Sequence, residues 1–221
     1  MLKILNAIHE DLHMHSLNYS DGMNTIDEIV QYADKIWLKK IAITDHSQYL
    51  LDKKWFTIRN RRPHTQRRGN VHNGVEVIFG VEWDIIDDTG NSCLDIQGYE
   101  SEFIILSCHD EAFSWDLKNI TQVYSNAIEK YHDKIKLIWH ICFKKTSQYL
   151  DVETIAKVLN KYNIPIELNT YYLAQNQTDL EKLNKIIPLI NAWIYVCSDA
   201  HTLNDFNFRQ AWFDYLNQNF K

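Results

Sequence analysis

Residues 25–46 read TIDEIVQYADKIWLKKIAITDH. Ile26, Ile29, Val30, Ala33 and Trp37 recur at intervals of three and four, which gathers apolar side chains on one face of a helix. Thr25 stands at the N-cap position with Glu28 three residues on, the signature of a capping box, so a helix is expected over 25–39. The run Ile41-Ala42-Ile43-Thr44 is short, apolar and β-rich, and it ends on Asp45 and His46. A helix that hands over to a strand tipped with polar groups is half of a βα unit.

The same alternation continues in both directions. Strands are expected near 8–13, 41–44, 76–81, 103–107, 136–139, 164–168 and 193–197, and further helices at 117–131, 152–162, 180–190 and 205–217. Residues 52–73 are polar, Arg-rich and without a sustained period, and read as loop. Seven strands interleaved with helices predict an α/β fold with enough strands to close a barrel. With 221 residues, only six glycines and three prolines, and no low-complexity run to serve as a linker, a single domain is expected.

The net charge of −6 speaks against a general nucleic-acid coat. No apolar run approaches the roughly 20 residues that span a bilayer. The first predicted strand begins too near Met1 for a removable leader, so a cytoplasmic protein without membrane partners is expected. Cys93, Cys108, Cys142 and Cys197 lack any C-x-x-C spacing and read as reduced thiols.

Chemistry-bearing residues collect where strands end: Asp11, His13 and His15; Asp45 and His46; Glu82; His109; His140; Glu167 and Asn169; Asp199 and His201. In a (β/α) barrel all of these lie on one face, where such folds place their chemistry. Side chains two apart on a strand point the same way, so His13 can meet His15, Glu167 can meet Asn169, and Asp199 can meet His201. Imidazole and carboxylate together suit zinc, iron and manganese, and a carboxylate can bridge two ions. Six of the ten histidines fall at these ends, whereas His9, His64, His72 and His132 lie elsewhere and carry no assignment.

In their order, D-L-H-M-H-S at 11–16, S-D-G at 20–22, T-D-H at 44–46, G-V-E at 80–82, His109, His140 and S-D-A-H at 198–201 resemble the motifs of the polymerase and histidinol phosphatase (PHP) family. The resemblance implies a distorted, TIM-barrel-like (β/α)7 barrel enclosing two or three divalent ions, manganese, zinc, iron or magnesium. One ion would be held by His13, His15, Glu82 and Asp199, and a second by Glu82, His109 and His140, with Glu82 as the bridge. A third would use His46, His201 and Asp21, where some members have a histidine. A further departure is Ile141, where many members place a proline after the histidine. Glu167 and Asn169 match the family's E-x-N and would position substrate or the metal shell. Asp11 and Asp45 are expected to accept from the outer ring nitrogens of ligand imidazoles.

A water bridging two such ions is acidified enough to attack phosphorus near neutral pH without a protein nucleophile. The expected activity is therefore a phosphomonoesterase acting on a small phosphorylated metabolite or nucleotide. Five of six arginines, Arg59, Arg61, Arg62, Arg67 and Arg68, crowd one segment and would grip the substrate phosphate, with Arg209 approaching from the other side. Trp55 and Phe56 beside them admit nucleic acid as a second substrate class, which would make the protein a nuclease acting on ends or short oligonucleotides. A barrel that keeps its metals for stability or for contact with a partner is the non-catalytic alternative.

Overall fold

The structure, a computed structural model, describes residues 6–54, 70–101, 103–112, 116–139 and 141–220. Seven parallel strands form one sheet in sequential order: β1 (Glu10–Asp11), β2 (Lys40–His46), β3 (Glu76–Asp84), β4 (Phe103–Ser107), β5 (Ile135–Ile138), β6 (Ile166–Asn169) and β7 (Ile194–Cys197). Around them lie α1 (Ile26–Lys35), α2 (Gln48–Lys53), α3 (Ile120–Tyr131), α4 (Lys144–Ser147), α5 (Val152–Tyr162), α6 (Thr170–Ala174), α7 (Leu180–Ile186) and α8 (Arg209–Asn219). The sheet curls into a nearly closed barrel, the distorted (β/α)7 arrangement.

Thr25 caps α1 as its sequence predicts: its hydroxyl accepts from the Glu28 N–H, and the Glu28 carboxylate accepts from the Thr25 N–H at 2.7 Å. The helix stops at Lys35 rather than 39 because Trp37 takes a left-handed φ of 67°, turning the chain into β2. Pro188 tightens the end of the expected helix 180–190 into a 3₁₀ turn over Ile187–Leu189. The short helices α2, α4 and α6, of six, four and five residues, were not anticipated, because so few residues carry no period.

Two apolar layers follow from the strand alternation. Ile41, Ile43, Val81, Ile104 and Leu106 pack outward with Ile29, Val30, Val123 and Ala127 of the helices. Ala42, Ile105, Leu137, Trp139 and Cys197 form a second cluster inside the barrel, with Ile78 packed against it. On β2, β3, β4 and β7 the inward row that contains Ala42, Ile78, Ile105 and Cys197 continues upward to His46, Glu82, His109 and Asp199. The alternation that fills the barrel floor thus also aims the polar groups at its mouth.

The seam between β1 and β7 is closed largely outside the two-residue first strand. The His15 N–H donates to Ala200 O at 2.9 Å and the Asp199 N–H to His13 O at 3.0 Å. Below them the Asn6 side chain imitates a strand, donating to Val196 O at 2.6 Å and accepting from the Val196 N–H at 2.8 Å. Arg209, expected to reach substrate, is buried in this seam instead: it donates to the carbonyls of Ile8 and Glu10, and its Nε lies 3.3 Å from Asp11 Oδ2. Asp11 in turn accepts from the Ser198 N–H at 3.0 Å rather than from a ligand imidazole. Both residues join strand ends, because a buried carboxylate is held best by the nearest buried cation and N–H.

Candidate metal centre

Strand register brings the first partners together. His46 pairs with Glu82 across β2 and β3, and Asp84 with Ser107 across β3 and β4. The turn after β1 delivers His13 and His15. Ser16, next in the chain, donates from its N–H and its hydroxyl to Asp45, at 2.7 and 3.0 Å, which anchors that turn to β2. Gly22 lies against the His15 backbone so closely that a Cβ would stand 2.1 Å from His15 O. Only glycine lets the following loop bring Asp21 over the site. Asp199 adopts φ 52°, a conformation rare outside glycine and asparagine, and its carboxylate turns back onto His13 and His15.

Three overlapping groups that could each hold a metal ion result: His13, His15 and Asp199; His46, Glu82 and His109; and His15, Asp21, His46 and His201. Asp199 Oδ1 lies 3.4 Å from His13 Nε2 and 3.1 Å from His15 Nε2. Glu82 reaches four imidazoles: Oε2 stands 3.7, 3.6 and 2.9 Å from His13, His15 and His46, and Oε1 3.6 Å from His109. Asp21 Oδ1 lies 3.4 Å from His46 Nε2 and 3.3 Å from His201 Nε2. Eight of the nine residues expected as ligands are thereby brought together. The ninth, His140, lies outside the described residues, as do Arg59, Arg61, Arg62, Arg67, Arg68, Trp55, Phe56 and His64.

The outer nitrogens of three imidazoles are held. His13 Nδ1 donates to Glu167 Oε1 at 2.7 Å, His109 Nδ1 to Asp84 Oδ1 at 2.6 Å, and His201 Nδ1 to Asp199 O at 3.0 Å. In the neutral ring that a metal requires, each bond would fix the tautomer that leaves Nε2 as a lone pair facing the cluster. Asp84 was missed in the sequence, although its position two after Glu82 places it on the same face of β3. Ser47 Oγ donates to its other oxygen at 2.5 Å. Asn169, expected to position substrate or the metal shell, is turned inward: Nδ2 donates to Asp199 Oδ2 at 2.8 Å and Oδ1 accepts from the Tyr172 N–H at 3.1 Å.

The inward atoms are in the opposite condition. Both carboxylate oxygens of Glu82, Asp199 Oδ1, His15 Nδ1 and His46 Nδ1 are buried without a well-aligned hydrogen bond, although Glu82 Oε2 stands 2.9 Å from His46 Nδ1 and Asp199 Oδ1 3.1 Å from His15 Nε2. Leaving one such group unsatisfied costs about 1–3 kcal/mol, and native interiors seldom tolerate several together without an ion or water. Oxygen and imidazole donors aimed at common points fit divalent cations.

Charge leads to the same fit. Burial opposes ionisation of Glu82 and Asp199, yet the surrounding imidazoles hold both carboxyls well below the usual range. Burial likewise opposes charge on His13, but Glu167, Asp199 and Glu82 outweigh it and raise its pKa well above normal. Asp21 and Glu82 do the same for His46. His201 is raised to about 9 against its burial, by Asp21 and Asp199. His15 is pushed down to about 3 by burial and by His201 and His46, and so stays neutral. Protonated imidazoles therefore balance the buried carboxylates of the metal-free protein, in the place where divalent ions would supply the charge.

The described residues contain no helix long and apolar enough to cross a membrane. The four cysteines are free; Cys108, Cys142 and Cys197 are buried and Cys93 is partly so.

Among known proteins, a probable phosphatase of Tolumonas auensis is 25% identical over 215 residues, covering 92% of this chain and 84% of that protein. A probable phosphatase of Caldanaerobacter subterraneus is 27% identical over 208 residues, covering 88% and 77%. The fold resembles that of histidinol phosphate phosphatase from Lactococcus lactis, solved with zinc, L-histidinol and phosphate. The TM-score is 0.55 at 13% identity, over 93% of this chain and 92% of that one. The PHP domain family matches residues 11–171, which contain all the expected ligands except Asp199 and His201, and the chain belongs to that family.

Proposed function

We propose that the chain is a metal-dependent phosphomonoesterase acting on a small phosphorylated substrate. One observation carries the reading: five imidazoles and three carboxylates converge at the barrel mouth, with several buried atoms of Glu82, Asp199, His15 and His46 lacking a well-aligned hydrogen bond and the outer nitrogens of His13, His109 and His201 held. His13, His15 and Asp199 would hold one ion. Glu82 and His109, with His46 beside them, would hold a second, to which the family resemblance adds His140. Asp21, His46 and His201 would hold a third.

Divalent ions in such a site acidify water for attack on phosphorus and neutralise the phosphoryl oxygens it must approach. The protein's part is orientation. Glu167 and Asp84 lock His13 and His109, Asn169 locks Asp199, and Asp45 anchors the turn behind His15. Ionised Asp21, Glu82 and Asp199 supply the negative charge that favours two or three ions, of zinc, manganese, iron or magnesium. The relatives named as probable phosphatases, matched over most of their length, support a phosphoester substrate. The arginines between Arg59 and Arg68 belong to the same proposal as the grip on its phosphate.

The test is phosphate release from a panel of phosphomonoesters by metal-loaded protein, before and after His13→Ala and Asp199→Ala. Turnover should be lost in both variants with circular dichroism unchanged; survival of turnover in either folded variant refutes the mechanism.

A further inference from the structure

Ser47 follows the candidate ligand His46 directly and is fully buried where β2 ends. It makes two contacts with β3. Its N–H donates to Glu82 O at 2.9 Å, and its hydroxyl donates to Asp84 Oδ2 at 2.5 Å. The other oxygen of Asp84 accepts from His109 Nδ1 at 2.6 Å. Ser47 is thus joined to His46 by a peptide bond, to Glu82 by a backbone hydrogen bond and to His109 through one carboxylate. Those three residues make up one of the candidate metal groups.

The hydroxyl is not used by the helix it precedes. Ser47 stands at the N-cap of α2, where a serine oxygen ordinarily accepts from an N–H of the first turn. Here the side chain makes no cap bond and is turned to β3 instead. Its contribution therefore lies at Asp84 rather than in α2.

The backbone of Asp84 is secured independently, since its carbonyl accepts from the Cys93 N–H at 2.8 Å and its register partner on β4 is Ser107. What depends on Ser47 is the direction of the carboxylate. With a donor on each oxygen, one orientation satisfies both; without the hydroxyl, Oδ2 becomes a buried acceptor in need of a new partner. An alternative acceptor for His109 is close at hand. Ser107 Oγ lies 3.2 Å from His109 Nδ1 while donating to Trp83 O at 2.8 Å. A hydroxyl in place of a carboxylate behind the ring would make His109 a weaker donor to an ion and alter its aim.

Resting on the metal-dependent reading above, we infer that Ser47 is a positioning residue of the metal centre: acting through Asp84, it sets the His109 imidazole for the ion of the His46, Glu82 and His109 group.

The test titrates manganese into metal-free full-length protein by calorimetry, for the natural chain, Ser47→Ala, Asp84→Ala and the double variant, with circular dichroism as the check on folding. Ser47→Ala should weaken one class of ion about tenfold and leave the others in place. Asp84→Ala should weaken the same class at least as much. Adding Ser47→Ala to Asp84→Ala should cost no more than about twofold further, because the path is already cut. A merely structural serine would lower the melting temperature of the metal-free protein without selecting one ion. Unchanged affinity in Ser47→Ala, equal weakening of every ion, or losses that multiply in the double variant overturn the inference. Phosphate release at saturating manganese is measured alongside. Normal release with unchanged affinity in Ser47→Ala removes the role of Ser47 and leaves the phosphatase reading standing. A selective loss of one ion in a protein that hydrolyses no phosphomonoester supports the role and overturns that reading, and a natural protein that binds no ion overturns both.

Discussion

His13 Nδ1 lies 2.7 Å from Glu167 Oε1, although 154 residues separate them in the chain. Both are fully buried, and the contact joins the turn after β1 to the inward face of β6. Two residues beyond Glu167, Asn169 holds Asp199, the other carboxylate facing His13. One short strand therefore orients two candidate ligands that approach each other from opposite ends of the sequence.

Glu167→Gln should lower metal affinity about tenfold to hundredfold, the usual cost of losing the acceptor behind a ligand histidine. The amide has the same shape but lacks the charge that favours a basic His13. Metal titration followed by calorimetry checks this, and saturating metal should restore most of the phosphate release. Unchanged affinity in a folded variant would remove Glu167 from the site.

Arg209→Met should destabilise the protein by about 3–5 kcal/mol, because it strands the Asp11 carboxylate in the barrel seam without its cation. Denaturant unfolding measures the loss, and Asp11→Asn added to it should recover part. The KM of the folded fraction should not move. A raised KM with unaltered stability would return Arg209 to the substrate-gripping role that its sequence position suggested.

The contrast between Arg209 and the ligands shows what is legible in sequence. Strand-tip residues can be read because one period places them: alternation on β3 sends Glu82 inward, and parallel register then sets His46 beside it. Asp84 obeys the same alternation and was open to the same reading, but an acid two positions beyond a ligand carries no motif of its own. Arg209 is decided by a contact across the barrel, with Asp11, which no local pattern encodes, and for Asn169 the contact with Asp199 separates two roles that its motif left open. The short helices α4 and α6 depend likewise on tertiary packing.

Metal binding near neutral pH should release protons. His201 is raised from 6.5 to about 9 in the metal-free protein, and His13, His46 and His109 are raised as well, by carboxylates that outweigh burial. A raised pKa means that the imidazolium stabilises the metal-free fold fully below about 6.5, and that this contribution fades as pH rises through about 9. An ion needs the neutral ring, so its affinity should climb across that window. Calorimetry in buffers of different ionisation enthalpy counts the protons. A count of zero between these pH values would show that the imidazoles are already neutral.

Asp21→Asn should remove the ion of the third group and spare the other two. Asp21 Oδ1 is within 3.4 Å of both His46 and His201 and 3.8 Å from His15 Nδ1, so one carboxylate supplies all the negative charge particular to that group. His15 and His46 also serve the neighbouring groups, which keep Asp199 and Glu82 as their anions. Plasma mass spectrometry on the dialysed variant should therefore find one fewer ion per chain than in the natural protein. Asp21→His should restore binding with a shift in preference from manganese or magnesium towards zinc, since imidazole replaces a hard oxygen donor. Full metal content in Asp21→Asn would show that the histidines hold the third ion without it, or that only two ions bind.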